Sequence, residues 1–292
     1  MRTALPVAGT IVAVLLSTAC ASLEPPAAAP TPRGTLDKIR ATKVITLGYR
    51  ESAVPFSYVG DDRKPTGYSI DLCSRIVADL QRELKLPDLE SRWVPVTPET
   101  RIQAVVSGAI DLECGSTTKT LSRQQQVDFS LTTFVTGGSM LALPGANLST
   151  DVRGLRIAVI PETTTEQVLR DLLARAGLNA TLVPVREHAE GLAALEARQV
   201  DAYASDRVIL IGLATRARDP KRFVLTDRYF SYEPYALMLR RGDPDFRLAV
   251  DRVLARIYRS TQIRDIYARW FGALGDPGSL LVAMYAIEGL PE

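Results

Sequence analysis

The feature that most constrains this chain is a strand-then-helix unit that occurs early in the sequence and again in its second half. Val44-Ile-Thr-Leu-Gly-Tyr is rich in β-branched and apolar residues and reads as a strand. After Ser69, the residues Leu72, Ile76, Val77, Leu80 and Leu84 fall at helical spacing across Ile70 to Leu84. Ile102, Val105 and Val106 form another apolar stripe that Gly108 ends, and Ala109 to Cys114 returns as a strand. In the second half Leu155 to Ile160 is a strand, Thr163, Thr164 and Thr165 follow, and Val168, Leu169, Leu172 and Leu173 mark the next helix. Alternation of this kind predicts an α/β fold with parallel sheets flanked by helices.

Two segments look like crossings between lobes, Phe134 to Met140 and Tyr229 to Leu239, and Gly137-Gly138 in the first would let the backbone absorb a hinge rotation. A length of 292 residues is enough for two lobes of ordinary size. The expected organisation places residues 34–136 and 231–292 in lobe 1 and residues 137–230 in lobe 2, with a ligand cleft between them. Asp243 to Phe271 is helical by Phe246, Val250, Val253, Leu254 and Ile257, whereas the tail after Gly275 shows no informative pattern.

The first residues carry a different message. Arg2, an apolar run from Ala4 to Leu16 and the small residues Ser17-Thr-Ala have the shape of an export signal over residues 1–19. The following Cys20 looks like the acylated Cys of a bacterial lipobox, and residues 20–33, rich in Ala and Pro, read as a tether from a membrane anchor. Export leaves two readings open for Cys73 and Cys114, a disulfide or two buried thiols. Lys plus Arg total 35 against 33 for Asp plus Glu, with no basic tract, which argues against nucleic acid as a partner. One His, no HExxH and no nucleophile-elbow sequence argue against a metal centre or a hydrolytic triad, and nothing calls for a cofactor.

The densest chemistry lies in Glu113-Cys-Gly-Ser-Thr-Thr, Arg123 and Asp128-Phe-Ser. A carboxylate drawn into a cleft loses hydration and must be met by charge-assisted donors, and a guanidinium fork supplies two parallel bonds. Ser116, Thr117 and Thr118 add hydroxyl donors, although Ser and Thr after a strand also serve as plain helix caps.

In this order the motifs resemble the extracytoplasmic solute-binding proteins of polar amino-acid ABC importers, family 3, and most closely their glutamate/aspartate-binding branch. The likeness runs from about Leu36 to Phe271 and rests on Arg50-Glu-Ser-Ala-Val-Pro-Phe-Ser-Tyr, Gly67-Tyr-Ser-Ile-Asp-Leu, the Glu113 segment with Arg123, Asp128-Phe-Ser and Phe134-Val-Thr-Gly. The resemblance implies a two-lobed clamp, monomeric and without enzymatic activity, that hands L-glutamate or L-aspartate to the permease subunits of an importer. It implies that Arg123, Thr118 and Thr164 hold the ligand α-carboxylate, that Ser116 and Asp206 take the α-amino group, and that Arg50, Arg101 and His188 take the side-chain carboxylate. A second carboxylate needs its own cations, because burying it unpaired costs about several kcal/mol. The chain departs from the branch at Pro98, where a Ser is expected. Thr97 or Thr100 would have to replace that hydroxyl, and the balance between glutamate and aspartate should shift.

Two other readings compete. The same fold hosts dehydratases of carboxylated cyclohexadienyl substrates, which would need a general acid such as Glu51 or Glu113. A sensor that reports the ligand to a signalling partner is the third.

Overall fold

A computed structural model describes residues 34–146 and 152–292. Residues 1–33, where an export signal, an acylated Cys20 and a tether are expected, lie outside the described residues.

Two five-stranded sheets form the frame. The first runs in the order β5 (Glu90–Pro95), β1 (Val44–Tyr49), β6 (Leu112–Glu113), β13 (Glu233–Arg240) and β7 (Val127–Thr136). The second runs β10 (Thr181–Pro184), β9 (Arg156–Val159), β11 (Ala202–Asp206), β8 (Gly138–Ala142) and β12 (Val224–Leu225). A small sheet of β2 (Ser52–Ala53), β3 (Ser57–Val59) and β4 (Pro65–Thr66) sits beside the first.

The sheets are mixed, which corrects the expectation of parallel ones. β1 pairs in parallel with β5 and β6, but β13 is antiparallel to both β6 and β7. In the second sheet β9 is parallel to β10 and β11, while β8 is antiparallel to β11 and β12. The odd strands flank the two crossings: the chain leaves the first sheet after Thr136, enters the second at Gly138, and returns in β13. A strand arriving from the other sheet is free of the right-handed helical crossover that makes its neighbours parallel.

Where the crossing strands meet, Gly137 and Gly138 have a role other than hinge freedom. A Cβ on Gly137 would lie 2.4 Å from the Ser231 carbonyl oxygen, and one on Gly138 would lie 2.5 Å from Phe230 Cε2. Gly138 N–H also donates to Ser231 Oγ at 2.9 Å. Both glycines permit this crossing of the chain to touch the segment that leads into β13, which any side chain would prevent.

Helices cover the sheets: α1 (Thr35–Thr42), α2 (Tyr68–Glu83), α3 (Arg101–Val106), α4 (Thr164–Ala176), α5 (His188–Glu196), α6 (Arg207–Arg216), α7 (Pro244–Tyr258), α8 (Gln262–Phe271) and α9 (Ser279–Glu288). The stretch expected to be helical from Asp243 to Phe271 is thus two helices, and the uninformative tail contains a third. α9 escapes a periodicity search because Leu280, Val282 and Ile287 are exposed apolar residues on the side away from buried Leu281, Met284 and Tyr285. No described helix is long and apolar enough to cross a membrane.

Behind the first sheet an aromatic cluster fixes the frame. Phe134 stacks on Phe271 at 4.8 Å between ring centroids and meets Phe56 edge-on at 4.9 Å. Tyr68 and Tyr235 complete it. Cys73 on α2 and Cys114 after β6 are joined as a disulfide with their Cα atoms 6.3 Å apart, which ties the helix to the strand end that precedes Ser116.

Candidate functional site

Strand ends and helix starts from both sheets meet at one narrow cavity of about 20 Å³, room for roughly one water. Arg50, Arg101, Ser116 and Thr118 line it from the first-sheet lobe, and Thr164, His188 and Asp206 from the second. Seven of the eight residues expected to bind ligand therefore share this cavity, and Arg123 is not among its lining residues.

The three guanidiniums differ in what they meet. Arg50 directly follows β1 and is 1% exposed; its backbone N–H donates to Ser57 Oγ at 2.9 Å. Its Nη2 donates to both carboxylate oxygens of Glu187, at 3.0 and 2.8 Å, and its buried Nε has no partner. Arg123 donates through Nη1 to the Thr118 carbonyl at 2.8 Å and through Nη2 to the Glu162 carbonyl at 3.4 Å, so it bridges the two lobes. Arg101, the first residue of α3, is 3% exposed; its backbone N–H donates to the Thr97 carbonyl at 3.0 Å, but its guanidinium makes no hydrogen bond or ion pair with any described residue. Burial first, and then the Arg123 charge, pull it down to about 9, so it remains a cation at neutral pH. An isolated buried charge is unfavourable unless something of opposite sign joins it.

Carboxylates already occupy part of the donor set. Glu233 Oε2 accepts from Thr118 Oγ1 and from Thr164 Oγ1, each at 2.6 Å, and its Oε1 accepts from Ser231 Oγ at 2.5 Å. The hydroxyls expected to face a ligand α-carboxylate thus face an internal acid. Asp206 ends β11 and precedes α6 without a side-chain capping bond; it accepts from Thr165 Oγ1 at 2.9 Å and from the Tyr235 hydroxyl across the cleft. Burial and the neighbouring Glu233 raise Asp206 to about 7. His188 is buried, and its Nδ1 lies 2.7 Å from the Tyr203 hydroxyl. Burial, Arg50 and Arg101 push it well below the ordinary histidine range, so its ring is neutral at pH 7.

Thr97 and Thr100 do not replace the missing hydroxyl at Pro98. They bond to each other at 3.1 Å and to each other's backbone N–H, and neither lines the cavity. Glu51 is exposed and Glu113 is buried, with Oε2 accepting from Thr117 Oγ1 at 2.8 Å; neither lines the cavity either. The residues that sequence reasoning missed are Glu187, Glu233, Ser52, Tyr203 and Tyr235. The one sequence signal for them is an acidic residue in an unexpected place, Glu233 inside the apolar crossing strand.

Comparison with known proteins gives the same direction. The description "Bacterial extracellular solute-binding proteins, family 3" matches residues 45–273. An L-glutamate/L-aspartate-binding protein of Pseudomonas aeruginosa is 38% identical over 262 residues, covering 88% of this chain and 87% of that protein. A glutamate/aspartate import solute-binding protein of Escherichia coli is 34% identical over 266 residues, covering 90% and 87%. Among solved structures, a cysteine-binding protein from Campylobacter jejuni superposes with a TM-score of 0.73 at 20% identity over 84% of this chain and 96% of that one, a likeness of fold alone.

Proposed function

This chain belongs to the bacterial extracellular solute-binding proteins, family 3, and we propose that it captures an acidic amino acid, L-glutamate or L-aspartate, for an ABC importer. The observation that carries the reading is Arg101: a buried guanidinium in direct ion pair with no described carboxylate, lining a cavity with the hydroxyl residues Ser116, Thr118 and Thr164. A carboxylate there would gain a charge-assisted fork and remove an uncompensated charge.

In this reading residues 34–136 with 231–292 form one jaw, residues 137–230 the other, and the chain works as a monomer. The ligand's side-chain carboxylate goes to Arg101, Arg50 and neutral His188, its ammonium to Asp206 and Ser116, and its α-carboxylate to Thr118, Thr164 and the region braced by Arg123. A cavity of about 20 Å³ is far too small for an amino acid, so admission requires the jaws to part and the Glu233 and Glu187 contacts to yield or be shared. Export over residues 1–19 and acylation of Cys20 would hold the protein at the outer face of the cytoplasmic membrane.

Isothermal titration with the set of natural amino acids tests the assignment. Heat from glutamate or aspartate at low micromolar concentration, with weaker or absent binding of neutral and basic amino acids, is the expected result; tight binding of a basic amino acid instead would overturn it.

A further inference from the structure

Arg50 is not waiting for a ligand in the way Arg101 is. Its Nη2 holds both oxygens of Glu187, a residue from the opposite jaw. Glu187 is the residue before α5, yet its carboxylate makes no capping bond to its own helix. It reaches instead across the cleft, where Ser52 Oγ also donates to its Oε2 at 2.8 Å. The same Ser52 Oγ accepts from the His188 backbone N–H at 3.1 Å, so the start of α5 is clasped to β2 through one acid and one hydroxyl.

The clasp puts an internal carboxylate at the Arg50 end of the cavity. A ligand acid approaching Arg50 from its remaining edge, where Nε is buried without a partner, must share one guanidinium with Glu187. Two carboxylates on one cation repel each other, and an amide on the ligand would suffer no such repulsion. Of Arg50 and Arg101, only Arg101 then offers a guanidinium that no carboxylate already holds.

We propose that Glu187 is a specificity-determining residue, an internal counter-carboxylate that partly neutralises Arg50 and lowers the preference of the site for an acidic over an amide side chain. The proposal rests on the reading of this cavity as an amino-acid site. It separates two consequences of removing the acid. Loss of the clasp weakens closure for every ligand alike, whereas loss of the charge favours acidic ligands selectively.

Titration of the mature chain and of Glu187→Gln with L-glutamate and L-glutamine tells these apart. Glu187→Gln keeps an acceptor for Ser52 and removes the charge, and the ratio of glutamate to glutamine affinity should rise about tenfold. Glu187→Ala should move the ratio in the same direction while weakening both ligands, and thermal melting of both variants reports whether either is misfolded. A ratio unchanged or lowered in the folded variants overturns the proposal, because it leaves Glu187 as a clasp only. Failure of the unsubstituted protein to bind either amino acid would overturn the reading of the cavity beneath it.

Discussion

The wall of the cleft that rises from the first sheet carries three guanidiniums on a braced frame, with the acid Glu233 facing the Thr118 and Thr164 hydroxyls, whereas the wall from the second sheet carries the carboxylates of Glu187 and Asp206 and the starts of α4, α5 and α6. On the first side the disulfide between Cys73 and Cys114 and the Phe56, Phe134 and Phe271 cluster hold the strand ends that present Arg50 and Ser116. On the second side an aliphatic cluster including Met140, Ile157, Val159, Leu169 and Leu173 supports Thr164 and Asp206. Each wall alone holds uncompensated charge, and only their approach pairs Arg50 with Glu187 and the Tyr235 hydroxyl with Asp206. Closure is therefore an electrostatic event as much as a steric one.

The largest test of this contrast removes the cation that closure leaves unpaired. Arg101→Ala should weaken binding of acidic amino acids by about 3–5 kcal/mol, read by titration calorimetry, while relieving a buried charge and leaving thermal stability intact or improved. A modest loss of affinity would mean that the two walls divide the charge more evenly than the geometry indicates. Next in size, replacing Cys73 and Cys114 together by Ser should cost about 2–4 kcal/mol of unfolding free energy, measured in denaturant. Affinity should change less than stability, because the brace supports the cationic wall without lining the cavity.

The second wall is tested through pH. Asp206 stands at about 7, so it is largely protonated at pH 6 and ionised at pH 8. Amino-acid affinity should rise about tenfold across that interval as the carboxylate becomes able to receive the ligand ammonium, and Asp206→Asn should flatten the profile. The sign for stability is opposite: the folded state holds this proton more tightly than the unfolded chain, so the contribution of Asp206 falls as pH rises from the usual carboxylate range to about 7. The smallest effect belongs to Thr163, whose Oγ1 accepts from the Glu166 N–H at 3.1 Å and caps α4. Thr163→Ala should lower stability by about 1 kcal/mol in thermal melts and loosen the helix start that carries Thr164.

Much of the frame is legible in the chain itself. β1 has the bounds read from its β-branched run, and α2 and α4 lie where their apolar stripes place them, because burial of one helix face is a local, periodic requirement. The strand direction of β8 and β13 is not local, and the sheets are mixed for that reason. At the site, the sequence offers the cations and hydroxyls as types but not their partners. Thr118 and Thr164 face Glu233, 115 and 69 residues away, and no spacing rule connects them.

The order of residues alone determined the α/β alternation, the family and a set of arginines and hydroxyls suited to a carboxylate, because periodicity and composition are written along one dimension. Which arginine meets a carboxylate, which meets only carbonyls and which is left without a side-chain partner was decided only when the two sheets came together. Charge compensation depends on distances of a few ångströms between groups such as Arg50 and Glu187, 137 positions apart, and that quantity exists only in the folded molecule.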